Sequence, residues 1–208
     1  MTKKILMILD SDSIVLIGLD CETTGSDIDT GARLFNGALA LKRDGLLHMR
    51  EVNLRPDHYT WSVEAEKVHM ISEDRVKSYP QALVAEKELE DFLLSILPSP
   101  SALLVPVGFN VGSFDLPFFR KAFPSLMQRF SHRVVDLNSL LLFLAVAGNG
   151  GVGTFEDLKK LFKERASKVI KEINPDLQAH QAGYDSLEAL LILDQIRSVG
   201  LKNYSLLV

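Results

Sequence analysis

The chain has 208 residues, 47% of them hydrophobic, a formal net charge of -4 at pH 7 and a sequence pI near 5.7. That length and apolar share suffice for one buried core, and the negative balance excludes a protein that coats nucleic acid by charge alone. One cysteine leaves no intramolecular disulfide and fits a reducing compartment.

Residues 1–208 read as a single domain, with 1–13 a lead-in segment in which Ile5 to Leu9 is either a short strand or an ordered approach. The apolar start resembles a signal peptide, but Asp10, Ser11, Asp12 and Ser13 cut it short. Leu140 to Ala147 is too short to span a bilayer. A soluble, cytoplasmic protein without a membrane partner is therefore expected.

The organising stretch is Ile14 to Gly25. Its apolar run from Ile14 to Leu19 reads as a strand buried on both faces, ending in Asp20-Cys21-Glu22. Alternation along a strand projects Asp20 and Glu22 to one side and Cys21 to the other. Adjacent buried carboxylates repel each other and are costly to desolvate, and a divalent cation such as Mg²⁺ or Mn²⁺ relieves both problems. Two solvated acids at an exposed strand end is the competing reading.

Arg33 to Leu41 and Leu46 to Leu54 read as two further strands around a turn at Lys42 to Gly45, giving an antiparallel meander. A short helix over Ser62 to Met70 takes Ser62 as N-cap. A longer helix spans Gln81 to Leu97, with Leu83, Leu89, Phe92, Leu93 and Ile96 on one stripe, and Pro98 and Pro100 stop it. A strand at Ala102 to Gly108, a helix from Leu116 to Phe123, a strand at Arg133 to Leu137 and a helix at Asn138 to Ala147 follow. Gly148 to Gly153 is a flexible turn, and helices close the chain at Phe155 to Arg165 and Tyr184 to Val199. This order implies a mixed sheet flanked by helices, α/β or α+β.

Two more acids sit at element boundaries. Asp115 follows the fourth strand in Asn110-Val-Gly-Ser-Phe-Asp115 and reads alone as a helix cap. Asp185 precedes the last helix and also reads as a cap, with Glu188 at the capping-box position. His180, five residues earlier, is either functional or an idle loop histidine.

Taken together, Leu19-Asp20-Cys21-Glu22-Thr23-Thr24-Gly25, Asn110 to Asp115, and His180 with Asp185 resemble the three motifs of the DEDDh (DnaQ-like) 3′-to-5′ exonucleases, in order. Ala65 to Ser72 resembles a segment of that family in which Val-His-Gly-Ile-Ser is common. The resemblance covers about residues 14 to 197. It implies a ribonuclease H-like α/β fold, a five-stranded mixed sheet with helices on both faces. It also implies two Mg²⁺ or Mn²⁺ ions held by Asp20, Glu22, Asp115 and Asp185, with His180 as general base. An imidazole titrates near neutrality, which suits that role.

The implied reaction is hydrolysis at the 3′ end of single-stranded nucleic acid, with DNA first, in proofreading manner. An RNA trimmer or oligoribonuclease, or an inactive nucleic-acid-binding module, is the alternative. A polymerase or another replication or repair protein is the implied partner. Thr23, Val68, His69, Asn110 and Phe114 are the implied substrate-binding residues, although core packing competes for Val68 and Phe114. Asp136 resembles a recurrent family acid with a structural role. The chain departs from the pattern at Met70, where Gly is frequent, and in the charged Lys159 to Lys171 stretch, expected as a mobile flap.

Overall fold

The computed structural model describes residues 14–147 and 152–204, so the lead-in and the Gly148–Gly151 part of the glycine turn lie outside the described residues. Strands β1 (Ile14–Thr23), β2 (Leu34–Arg43) and β3 (Leu46–Asn53) form the expected antiparallel meander. Helices α1 (Val63–His69), α2 (Glu73–Lys77) and α3 (Ala82–Ile96) lead to strand β4 (Leu103–Gly108). Helix α4 (Asp115–Ala122) leads to the two-residue strand β5 (Val135–Asp136), and helices α5 (Leu137–Ala147), α6 (Val152–Ile173) and α7 (Ala182–Tyr204) follow. The sheet runs β3-β2-β1-β4-β5, with β1, β4 and β5 parallel. It is the mixed five-stranded α/β sheet that the resemblance implies.

Being central, β1 is covered on both faces, and period-two alternation divides it between two cores. Ile17, Leu19 and Cys21 join Leu89 and Leu93 of α3 and Phe119 of α4 in one. On the opposite face Leu16 packs with Ala40, Val107 and Leu187 and Leu190 of α7. Gly18, Asp20 and Glu22 share that second face.

Gly18 determines how closely α7 approaches. A Cβ there would collide with the Ser186 carbonyl oxygen and sit 3.0 Å from Leu190 Cγ. One turn earlier, the Gly183 amide donates to Glu51 Oε2 at 3.2 Å, and a Cβ at Gly183 would collide with that carboxylate. Glu51 in turn accepts from Asn36 Nδ2 at 2.9 Å. The start of α7 is thus tied to β3 and pressed against β1.

Several expectations are corrected. Leu83 is 74% exposed; the buried stripe of α3 runs through Ala85, Glu86, Leu89, Phe92 and Leu93, and Leu83 lies off it. Glu86 is admitted because its Oε1 accepts from Ser125 N and Leu126 N at 2.8 and 2.9 Å. The Lys159 to Lys171 stretch is not a flap but the body of α6, which buries Phe162, Ala166 and Ile170 at four-residue spacing in the second core. Helix α2, capped by Ser72, and a 3₁₀ turn at Leu126–Arg129 carry no signal that was read from the sequence. Asp136 Oδ1 accepts from Ser139 N at 3.1 Å and so caps α5. No helix among the described residues is long and apolar enough to cross a membrane.

Candidate metal centre

Strand pleating puts Asp20 and Glu22 on the α7 face of β1, and the close approach at Gly18 brings Asp185, in the first turn of α7, against them. Carboxylate oxygens of Asp20, Glu22 and Asp185 all lie within 4.8 Å of one another. Three hard oxygen donors at that spacing suit a divalent cation of the Mg²⁺ or Mn²⁺ type.

Asp115 stands beside this group without joining it. It is 3% exposed and lies against Cys21. Its Oδ1 accepts from the Cys21 amide at 3.0 Å and from Cys21 Sγ at 3.3 Å. It opens α4 but does not cap it: Phe114 holds the N-cap position, and no side chain bonds there. Nor is Asp185 an N-cap, because α7 already begins at Ala182. Its Oδ2 instead accepts from the His180 amide at 3.0 Å.

The electrostatics follow from packing acids together away from water. Burial pushes the Asp20 carboxyl well above the usual range, and Asp115, Asp185 and Glu22 add to the effect while Lys163 opposes it. Glu22 is pushed up to about 8, first by burial and then by Asp185, Asp115 and Glu51. Asp115 rises to about 7 through burial, held back by the two Cys21 hydrogen bonds. Asp185 rises to about 6 through burial and Glu188, while Lys163, His180 and the His180 amide restrain it. A bound cation would supply the missing positive charge, so the donor set fits one.

His180 is exposed, with backbone φ of 63°, and its ring makes no hydrogen bond among the described residues. Of the implied substrate residues, Thr23 is buried and donates Oγ1 to the Gly25 carbonyl at 2.7 Å. Val68 is 56% exposed on α1. His69 is buried; its Nδ1 accepts from Ile71 N at 3.1 Å, so the proton sits on Nε2, which has no protein acceptor. Phe35 and Trp61 hold that imidazole edge-on at 4.8 and 5.8 Å. Met70 closes α1 in the left-handed conformation, φ 60°, which explains why Gly suits this position. Its side chain is 82% exposed and fills no described cavity. Asn110, at φ 55°, accepts from Asn138 Nδ2 at 2.9 Å. Phe114 is half-buried against Phe118, with centroids 5.2 Å apart.

Sequence reasoning passed over Glu51 and the Lys163–Glu188 pair, 2.7 Å apart, whose acid is almost wholly buried. Glu51 lies in register with Ala38, and Ala38 with Asp20, a cross-strand row that only the pairing reveals.

No family model and no curated protein matches the chain. Solved structures do share its fold. Cell-death related nuclease 4 aligns with a TM-score of 0.62 at 12% identity, over 89% of this chain and 64% of that one. A full-length 3′-exonuclease aligns at 0.58 and 13%, over 89% and 61%. A 3′-exonuclease described for 3′-end specific recognition of a histone mRNA stem-loop aligns at 0.57 and 13%, over 95% and 70%. The chain thus spans somewhat less than two thirds of the first two.

Proposed function

We propose that this chain is a metal-dependent 3′-to-5′ exonuclease acting on the 3′ end of single-stranded nucleic acid. The observation that carries the reading is the Asp20, Glu22 and Asp185 carboxylate group at the end of the central strand. A fold shared with nucleases supports it.

Asp20, Glu22 and Asp185 would hold the cation or cations, with Asp115 joining through the carboxylate edge not engaged by Cys21. Divalent ions there would activate water and offset charge on the phosphoryl group under attack. The protein's own residues do the remainder. His180 would accept the proton of the attacking water, and Asp185, bonded to the His180 amide, fixes where that residue begins. His69 keeps a neutral ring, since burial lowers its pKa, and its unpartnered Nε2–H is buried, so it would meet the terminal nucleotide only after a side-chain shift. Thr23, Val68, Asn110 and Phe114 would line the same end of the sheet.

The substrate is taken as DNA. RNA is the second reading, favoured by the fold shared with the 3′-exonuclease that recognises an mRNA stem-loop. Matched single-stranded DNA and RNA, labelled at the 5′ end, are to be incubated with Mg²⁺, Mn²⁺ or EDTA, beside Asp185→Asn. A metal-dependent ladder shortening from the 3′ end, absent in the variant, is the expected result. No cleavage of either strand with any metal would refute the reading and leave a binding module.

A further inference from the structure

Helix α6 carries two lysines one turn apart, Lys159 and Lys163, and both reach the same aromatic ring. Lys159 Nζ lies 5.0 Å from the centroid of Phe109 and 5.8 Å from that of Phe155, and Lys163 Nζ lies 4.9 Å from Phe109. Phe109 follows the last residue of β4. The β1–β4 register pairs Gly18 with Val107, so two residues further on Phe109 falls on the Asp20 face, next to the carboxylate group.

The two ammonium groups are differently placed. Lys163 is paired with Glu188 on α7, one turn beyond Asp185. Lys159 is half-buried and has no carboxylate within ion-pair distance among the described residues. Two like charges over one ring repel each other, and only one has a counter-ion, so an anion bridging them would be attracted. The ligand chemistry selected is phosphate.

The geometry points to Lys159 and Lys163, mounted on Phe109, as a phosphate-binding station for the substrate strand, gripping internucleotide phosphates beside the one at the carboxylate group. This rests on the nuclease reading for its substrate and adds a grip that no motif in the chain announces. Its mark is electrostatic. Each phosphate contact on a single strand contributes about 0.7 to the slope of log affinity against log salt, so two contribute about 1.4. Between about 50 and about 200 mM salt, the wild-type protein should then lose about 7-fold more affinity than a variant lacking both.

The experiment measures binding of a short 5′-labelled single-stranded oligonucleotide in EDTA across that salt range, by fluorescence anisotropy. It compares wild type, Lys159→Gln, the Lys159→Gln/Lys163→Gln double variant and its double Arg counterpart. Lys168→Gln/Lys171→Gln, exposed on the far part of α6, removes the same charge elsewhere. The slope should fall by about 0.7 and about 1.4 in the Gln variants, and stay near wild type in the Arg and far-end variants. With Mg²⁺, KM should rise in Lys159→Gln by more than any fall in kcat. Lys159→Gln keeps the test valid should loss of Lys163 leave Glu188 unpaired and harm folding. An unchanged slope in Lys159→Gln, or an equal fall in the far-end variant, overturns the station. A falling slope without any cleavage by wild type would uphold the station and refute the nuclease reading; cleavage with an unchanged slope would do the reverse.

Discussion

Removing a carboxylate of the proposed metal centre should make the metal-free protein more stable. Glu22 is held at about 8 against an ordinary 4.5, so between those values the folded chain binds the proton more tightly than the unfolded one. Stability therefore falls as pH rises through that window, the reverse of the usual salt-bridged acid. Taken alone, the Glu22 shift destabilises the fold by on the order of 2 kcal/mol at pH 6 and 4 kcal/mol at pH 8. The first figure is an upper bound, because Asp115 and Asp185, held at about 7 and about 6, are partly protonated at pH 6 and repel Glu22 less. Glu22 accepts no hydrogen bond among the described residues, so Glu22→Gln sacrifices no partner. At about 2–4 °C per kcal/mol for a chain of this size, the variant should melt roughly 4–8 °C above wild type in EDTA at pH 6, and further above it at pH 8. At pH 6 Mg²⁺ should invert the order: at a hundredfold excess over Kd it stabilises wild type by about 2.7 kcal/mol, more than the deficit of about 2 kcal/mol, and the variant far less. Thermal unfolding at several pH values with EDTA or Mg²⁺ reads all of this. A variant less stable than wild type in EDTA at pH 8, or equal Mg²⁺ stabilisation of both, would refute the reasoning.

Three further outcomes are expected. His180→Ala should lower turnover by about 10²-fold or more while Mg²⁺-dependent stabilisation survives, since the ring lies outside the carboxylate group; full activity would remove His180 as base. Asp185→Asn should abolish both cleavage and the Mg²⁺ shift in melting temperature, and a retained shift would show that the cation binds elsewhere. Gly18→Ala should destabilise the protein by about 1–3 kcal/mol or more, measured by denaturant unfolding, because α7 must lift from β1; an unaffected variant would mean that this approach does not hold the helix.

Where chemistry was written in local spacing, the sequence was legible. The pleat alone placed Asp20 and Glu22 on one side and Cys21 on the other, and the order of apolar runs foretold the sheet. Asp115 and Asp185 read locally as helix caps, and neither is one. Asp115 answers to Cys21, 94 residues away in the chain, and Asp185 lies in the first turn of a helix that starts earlier than its apolar pattern shows. Glu51 and the pairing of Lys163 with Glu188 were invisible for the same reason. A surface-looking Glu or Lys becomes part of a site only through partners brought close by strand register or helix docking. Leu83 shows the converse error, a leucine assigned inward by type although its angular position on α3 turns it to solvent.

The contact between Gly18 and Ser186 has a consequence for the order of events in a cell. Asp20 and Glu22 leave the ribosome early, but the third carboxylate arrives only with α7, and the collision distance at Gly18 leaves that helix one seat. A nascent or C-terminally truncated chain then carries a pair of repelling acids and no complete cation cage. If the chain is a nuclease, it is inert towards the messenger and ribosome that make it until α7 docks, and cleavage would report the docking of that helix directly.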